Sequence, residues 1–258
     1  MDESRWRQRR GRGERAWVVG LSLGLIVAGC GGAAAGTAPG AAGNDTPDGD
    51  APEAGPGVTP GGDYYPLAVG ATWTYRISNA AGMMADKTTT IEAMEPSAAN
   101  GPAAFRIRNS ALASGTVNWE QLGDASAVVR YRQQMLDANG ALLLEKTYKP
   151  GSVVVDQSPS HLMAGATWGE TFVETKPGAS GVPKASQEFV KWTVEATDDV
   201  VSVPAGMFTC IRVRRHHTSS NNPADEVTWY APGTGRVKET GGGPQSDETR
   251  ELVSSSLP

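Results

Sequence analysis

From Asp63 onward the chain is written with a period of two. Across Thr72–Ser78, Trp73, Tyr75 and Ile77 alternate with Thr72, Thr74 and Arg76. Phe105 and Ile107 alternate with Arg106 and Arg108, and Val117 and Trp119 with Thr116, Asn118 and Glu120. Val129 and Tyr131 alternate with Arg130 and Arg132, and Val190, Trp192, Val194 and Ala196 with Lys191, Thr193 and Glu195. Successive side chains of a strand point to opposite faces, so each segment predicts a strand with one apolar face in an antiparallel sheet. Turn sequences separate them: Ala99-Asn100-Gly101-Pro102, Ala138-Asn139-Gly140, Lys149-Pro150-Gly151, Lys176-Pro177-Gly178 and Ala231-Pro232-Gly233. Gln133–Leu144 is the best helical window, but Asn139-Gly140 in its middle suits a hairpin better. Pro204-Ala205-Gly206 marks a further tight corner. About ten to twelve short strands predict one all-β domain over residues 63–258, an antiparallel, strongly curved sheet or half-open barrel, with a β-sandwich as the alternative. Hydrophobic residues at 39% supply a core, and 20% charge is too little for a disordered polyelectrolyte.

One short pattern occurs twice. Leu67-Ala68-Val69-Gly70-Ala71-Thr72-Trp73 matches Leu162-Met163-Ala164-Gly165-Ala166-Thr167-Trp168, 95 residues later. In both, a glycine turn feeds Thr-Trp into a strand. Repeated turn chemistry accounts for it, and an ancient duplication is the other reading. Trp73 and Trp168 are both expected to be largely buried at the inner face of the sheet.

The first 62 residues have a different composition. Six arginines, Arg5, Arg7, Arg9, Arg10, Arg12 and Arg15, precede a fourteen-residue apolar run, Ala16–Gly29. A bilayer span needs about 20 apolar residues, so the run has the length of a signal-peptide core instead. Gly31–Gly62 then holds ten Gly, eight Ala and five Pro, with no aromatic residue. Its acids are Asp45, Asp48, Asp50 and Glu53, with no basic partner. Such a segment buries too little apolar surface to offset its ordering entropy and predicts a disordered tether. As a flexible coil its root-mean-square reach is about 30 Å. Asp48-Gly49-Asp50 lacks the other ligand positions of a calcium loop.

The apolar run ends in Val27-Ala28-Gly29-Cys30, which resembles the lipobox of bacterial lipoproteins, with Val in place of the commoner Leu. The resemblance implies cleavage between Gly29 and Cys30, a diacylglyceryl thioether on Cys30 and acylation of the new amino end. Residues 1–29 would then be the signal peptide, and the mature chain would sit on a membrane without spanning it. Gly31 stands where Asp favours inner-membrane retention, so the expectation is the cell envelope, with the outer membrane favoured. Arg9-Arg10 lacks the apolar pair of a twin-arginine signal, which points to general secretion.

Three stretches of the body carry a second resemblance. Asp63–Tyr75 opens as Asp-Tyr-Tyr-Pro-Leu-Ala-Val-Gly-Ala-Thr-Trp-Thr-Tyr, Val201–Val213 contains Val-Ser-Val-Pro-Ala-Gly-Met-Phe, and Trp229–Glu239 contains Tyr-Ala-Pro-Gly-Thr-Gly-Arg-Val-Lys. Together they resemble the TapB-like domains, secreted or lipid-anchored bacterial domains of largely unknown function. The resemblance implies an antiparallel β fold of half-open barrel type and brings no catalytic residues. Met83–Pro150 carries no motif of that family.

Little in the body announces chemistry. The histidines are His161, His216 and His217, and the last two are adjacent, so on a strand they point to opposite faces and cannot easily share a metal. Cys210 sits in a strand context and reads as a small, partly buried side chain rather than a nucleophile. Neither a catalytic-serine, Walker nor dinucleotide motif occurs, so no catalytic residue, cofactor or metal is expected. Net charge is −5 with no basic run past residue 15, which disfavours nucleic acid. Arg212 and Arg214 share a strand face and are the weak candidates for an acidic glycan or lipid head group; a solvated face paired to nearby acids is the plainer account. Three function classes remain: a non-enzymatic envelope lipoprotein binding a protein, glycan or lipid, a lipid carrier with a hollow apolar interior, and an envelope hydrolase. An apolar cavity would support the second, a cleft with convergent carboxylates or histidines the third, and a solid core the first.

Overall fold

The computed structural model describes residues 63–258, apart from 83, 111–113, 124–125, 179–180, 219–223 and 243–247. The chain divides between Gly49 and Asp50, and every described residue belongs to the second unit. The signal segment 1–29, Cys30 and the linker to residue 62 lie outside the described residues.

Twelve strands follow one another. They are β1 Thr72–Ser78, β2 Met84–Pro96, β3 Ala103–Ser110, β4 Ser114–Leu122, β5 Ala127–Asp137, β6 Leu142–Asp156, β7 Thr167–Pro177, β8 Pro183–Val203, β9 Gly206–His217, β10 Ala224–Ala231, β11 Gly235–Gly242 and β12 Thr249–Ser256. A single 3-10 turn, Pro159–His161, lies between β6 and β7. Each strand pairs antiparallel with the next, and β12 returns to β1 from Thr72 opposite Ser256 to Ser78 opposite Thr249. The curved sheet expected from the alternation therefore closes completely, which leaves no free edge.

Eight strands give a barrel whose interior is just filled by side chains, and the diameter grows with strand number. Twelve strands cannot fill their interior with one layer of side chains. Part of the space is taken by the chain before β1. Tyr65 and Leu67 pack against both large apolar clusters of the barrel, one around Tyr230, Trp192 and Phe172, the other around Trp73, Tyr75 and Leu252. The segment is tied in place by hydrogen bonds. Gly233 N–H donates to Asp63 O at 2.8 Å, Gln157 Oε1 accepts from Tyr64 N–H at 2.5 Å, and the Tyr65 hydroxyl donates to Glu120 Oε2 at 2.8 Å. The Asp63–Leu67 stretch is thus a plug, not a lead-in.

The repeated pattern is repeated in geometry. Ala71 N–H donates to Ala68 O, Gly70 N–H to Ile91 O, and Ile91 N–H back to Ala71 O. Ala166 N–H likewise donates to Met163 O, Gly165 N–H to Val194 O, and Val194 N–H back to Ala166 O. Both glycines have left-handed φ, 95° and 82°, where a Cβ would be strained. The two turns open β1 and β7, the first strands of two runs of six. The tryptophans that follow differ. Trp73 is 6% exposed and its indole Nε1 donates to Thr234 O at 2.7 Å. Trp168 is only half-buried, stacked between His161 at 4.0 Å and Trp192 at 5.9 Å, so the expectation that it is largely buried does not hold.

One other expectation needs correction. Lys149-Pro150-Gly151 does not reverse the chain but is an irregularity inside β6, where the register jumps from Arg130–Ser152 to Arg132–Thr147. A Cβ on Gly151 would lie 2.2 Å from Val129 Cγ1, so only glycine permits this approach. Val117 and Trp119 do not face the barrel interior. They form a separate small cluster with Ala104 and Leu136, covered by Arg132, 4.3 Å above the Trp119 ring, and by Glu95, which accepts from Trp119 Nε1 at 2.9 Å. Their neighbours Thr116 and Asn118 line the inside instead.

The outer wall is charged. Arg76 pairs with Asp86, Arg108 with Glu92, Arg132 with Glu145, and Lys238 with Glu251, all at 2.6–3.5 Å. A membrane-spanning barrel carries an outward apolar band about 25 Å tall, which such pairs interrupt.

Truncating Trp73 to Ala removes a buried aromatic and orphans the Thr234 carbonyl, so it should cost about 3–5 kcal/mol in chemical denaturation. Trp168→Ala loses mainly stacking and should cost about 1–2 kcal/mol. Equal losses in the two variants would contradict this placement.

Candidate functional site

A cavity of about 260 Å³ lies inside the barrel. Its lining is polar and charged. Lys87 and Thr89 of β2 enter beside Tyr75 and Trp73 of β1, because Lys87 pairs with Tyr75 and Thr89 with Trp73 across the ladder. Asn109, Thr116, Asn118 and Gln133 continue the wall through β3, β4 and β5. They hold one another: Thr89 Oγ1 donates to Asn109 Oδ1 at 2.7 Å, Asn109 Nδ2 to Thr116 Oγ1 at 3.1 Å, and Gln133 Nε2 to Asn118 Oδ1 at 3.0 Å.

Charges enter from both walls. Arg130, Arg215, Arg236 and Arg250 line the cavity with Lys87, as do the carboxylates Glu226 and Glu239. Two of these arginines reach the interior through β-bulges. The register of β10 with β11 slips by one at Val237, which turns Arg236 to the same side as Glu239. The register of β4 with β5 slips at Tyr131, so that Arg130 faces in while Arg132 faces out. Arg130 holds Glu120, fully buried, at 2.7 and 2.9 Å. Glu239 is gripped by Arg236 and by Arg250, the latter at 2.5 Å, and Arg250 also meets Glu248.

Lys87 and Arg215 are left over. Among the described residues neither has a carboxylate within ion-pair distance, and Arg215 Nε is buried without a hydrogen-bond partner. Arg215 lies over the Trp192 ring, 5.5 Å from its centroid, in a cross-strand row Trp168–Trp192–Arg215–Glu226. Burial, and then the positive charges of Arg250 and Arg236, push the Lys87 ammonium down to about 8. The charge of Glu239, with burial added, raises the Glu226 carboxyl. Burial raises Glu239 too, but Arg236 and Arg250 outweigh it and hold Glu239 low. The two carboxyls are thus pushed in opposite directions, Glu226 up and Glu239 down. Glu170, on β7 towards Arg215, accepts Val153 N–H at 2.9 Å, and burial raises it to about 7.

The residues singled out in the sequence lie elsewhere. Arg212 and Arg214 are on the outer face, where Glu195 takes Arg212 at 3.0 Å and Arg214 at 2.6 Å, and Asp199 takes Arg212 at 2.8 Å. Their neighbour Arg215 is the member of that cluster that points inward. His216 pairs with Asp225 at 2.8 Å and His217 with Glu188 at 3.1 Å, and His161 pairs with Asp156 at 2.7 Å. No group of three or more metal-ligating side chains gathers among the described residues. Cys210 is buried, and burial, with Asp199 nearby, pushes its thiol up to about 12, far from a nucleophile's range. Cys30 and Gly29 lie outside the described residues.

Two solved structures match part of this chain. One is a protein described as a candidate lipoprotein from Parabacteroides distasonis, 9% identical, with a TM-score of 0.41 over 76% of this chain and 99% of that one. The other is described as a candidate exported protein with a YmcC-like fold from Bacteroides fragilis, 13% identical, with a TM-score of 0.34 over 76% of this chain and 100% of that one. No protein family and no curated protein matches the chain in sequence.

Lys87 makes the stability of the barrel depend on pH. Its folded value of about 8 lies below the ordinary 10.5, so below pH 8 the folded state carries a charge it disfavours. Lys87→Met should therefore stabilise the protein at pH 7 by about 1–3 kcal/mol. The difference should shrink as pH rises from about 8 to 10.5, where wild type sheds the proton in both states. A Lys87→Met protein less stable than wild type at pH 7 would contradict the unpaired charge.

Proposed function

We propose that this chain is a lipid-anchored lipoprotein of the bacterial cell envelope whose barrel is a non-enzymatic binding module for a small polar molecule. The observation that carries the binding reading is the cavity, hollow yet lined by hydrogen-bonding and charged side chains. Although Trp73, Ile91, Ile107 and Val154 contribute apolar surface, an acyl chain would have to lie against five cations and the amide wall, so it is poorly served there. A sugar or a lipid head group finds donors and acceptors on every side. Catalysis is served less well. Glu239 has both oxygens engaged by arginines and Glu120 is engaged by Arg130 and Tyr65, so neither is a free base.

The anchor rests on the sequence: a basic amino end, a fourteen-residue apolar core and Val27-Ala28-Gly29-Cys30 in register. Lipid on Cys30 would hold the mature chain on the membrane, with the outer membrane favoured, and Gly31–Gly62 would act as the tether. The TapB-like resemblance belongs to the same proposal, and in this chain its opening residues Asp63–Leu67 form the plug of the barrel.

Cys30→Ser should leave the precursor uncleaved at Gly29 and without lipid, as read by mass spectrometry of the amino end and by detergent partitioning. An unmodified Cys30 in wild-type protein from the native bacterium would overturn the anchor. For the barrel, a panel of envelope sugars and head-group analogues should include members that raise the melting temperature and perturb the fluorescence of Trp73 and Trp192. A panel that changes neither would overturn interior binding.

A further inference from the structure

We propose that the barrel cavity binds a small polyhydroxylated oxyanion, its carboxylate or phosphate held between Lys87 and Arg215 and its hydroxyls on the amide and hydroxyl wall of β2–β5. This rests on the interior-binding reading and names the class of ligand.

The charge balance points to an anion. Five cations line the cavity. Glu120 neutralises Arg130, and Glu239 with Glu248 serves Arg236 and Arg250. The remaining lining carboxyl, Glu226, is pushed up by the charge of Glu239 and by burial and makes no ion pair among the described residues, so five lining cations face few engaged carboxylates. Among the described residues Lys87 has no carboxylate within ion-pair distance, and Arg215 has Glu226 opposite it on the ladder and Glu170 nearby but no ion pair with either, so both cations are left with capacity for an anion in the cavity.

Placement agrees with charge. In the ring of twelve, β2 and β9 are separated by five strand steps through β1, β12, β11 and β10, and by seven the other way. Lys87 and Arg215 therefore approach from nearly opposite walls. Arg215 is braced on the Trp192 face, which fixes its guanidinium without using its donors. The wall that carries Lys87 also offers neutral groups already aligned by their own hydrogen bonds, Thr89, Asn109, Thr116, Asn118 and Gln133. Cations facing each other, with amides and hydroxyls beside Lys87, match a molecule with an anionic group and a hydroxylated body. Size agrees as well. A cavity of about 150 Å³ holds benzene, and this one, at about 260 Å³, suits a single sugar acid or a glycerol phosphate.

The test is isothermal titration calorimetry on the full chain in detergent, with glucuronate, glycerol 3-phosphate, inorganic phosphate and neutral glucose as probes. At least one anion should bind, at least tenfold tighter than glucose and more weakly as salt rises. Glucuronate as the tightest probe identifies a glycan acid, and glycerol 3-phosphate a lipid head group. K87M and R215Q should each weaken the anion tenfold or more, while K191M on the outer wall should leave it unchanged. K87M is expected to fold at least as stably as wild type, so its loss of binding is not a loss of structure. Circular dichroism checks R215Q. An anion that binds K87M and R215Q as it binds wild type overturns the proposal, as does one lost only on changing Arg212 or Arg214. If glucose binds as tightly as glucuronate and ignores both variants, the anion site is wrong while interior binding stands. If no probe binds, the anion site is wrong.

Discussion

Closure of the sheet is the constraint on which everything else depends. Twelve antiparallel strands that join β12 to β1 leave no edge to aggregate, but they enclose more volume than one inward layer can fill. The chain meets this in two ways. It feeds Tyr64, Tyr65 and Leu67 inward, so that two apolar clusters meet over the plug. It surrenders the remaining space to polar side chains, which keep it hydratable, since an empty apolar hole of that size forfeits contact energy on every wall. The cavity is thus a consequence of strand number, and its chemistry a consequence of what the strands send inward.

That chemistry is assembled from groups that do not balance. Arg130 with Glu120, and Arg236 and Arg250 with Glu239, are structural pairs that tie β4 to β5 and β11 to β12. The second matters because β11 and β12 pair through three ladder positions among the described residues, Lys238 to Thr240. A salt link between these strands reinforces a thin seam. Lys87 and Arg215 tie nothing together in this way. Natural cores rarely retain unpaired cations without a reason in function.

Much of the architecture was legible in the sequence, and its limits are instructive. Trp73, Tyr75 and Ile77 alternate over the very residues that form β1, and the turns at Asn139-Gly140, Pro204-Ala205 and Pro232-Gly233 all join adjacent strands. Alternation, however, reports two faces without saying which is inside. In β4 the apolar face, Val117 and Trp119, is the outer one, because the inner one serves a polar cavity. Bulges hide the rest. At Val237 and Tyr131 they shift the parity that would have placed Arg236 and Arg130. Lys87 lies in a strand of Lys and Thr with no apolar stripe to mark it. Arg215 stood in a basic cluster whose signal came from Arg212 and Arg214, which turn out to face Glu195 and Asp199 on the outer wall.

The barrel interior carries positive charge at Lys87 that no carboxylate among the described residues pairs. The most direct test is the titration of the Lys87 ζ-nitrogen by heteronuclear NMR, assigned by comparison with Lys87→Met. In the free protein the account predicts a pKa near 8, moving up towards the ordinary 10.5 when glucuronate or glycerol 3-phosphate is added. A value at 10.5 in the free protein, unmoved by either anion, would mean that Lys87 is already solvated or paired, and would contradict it.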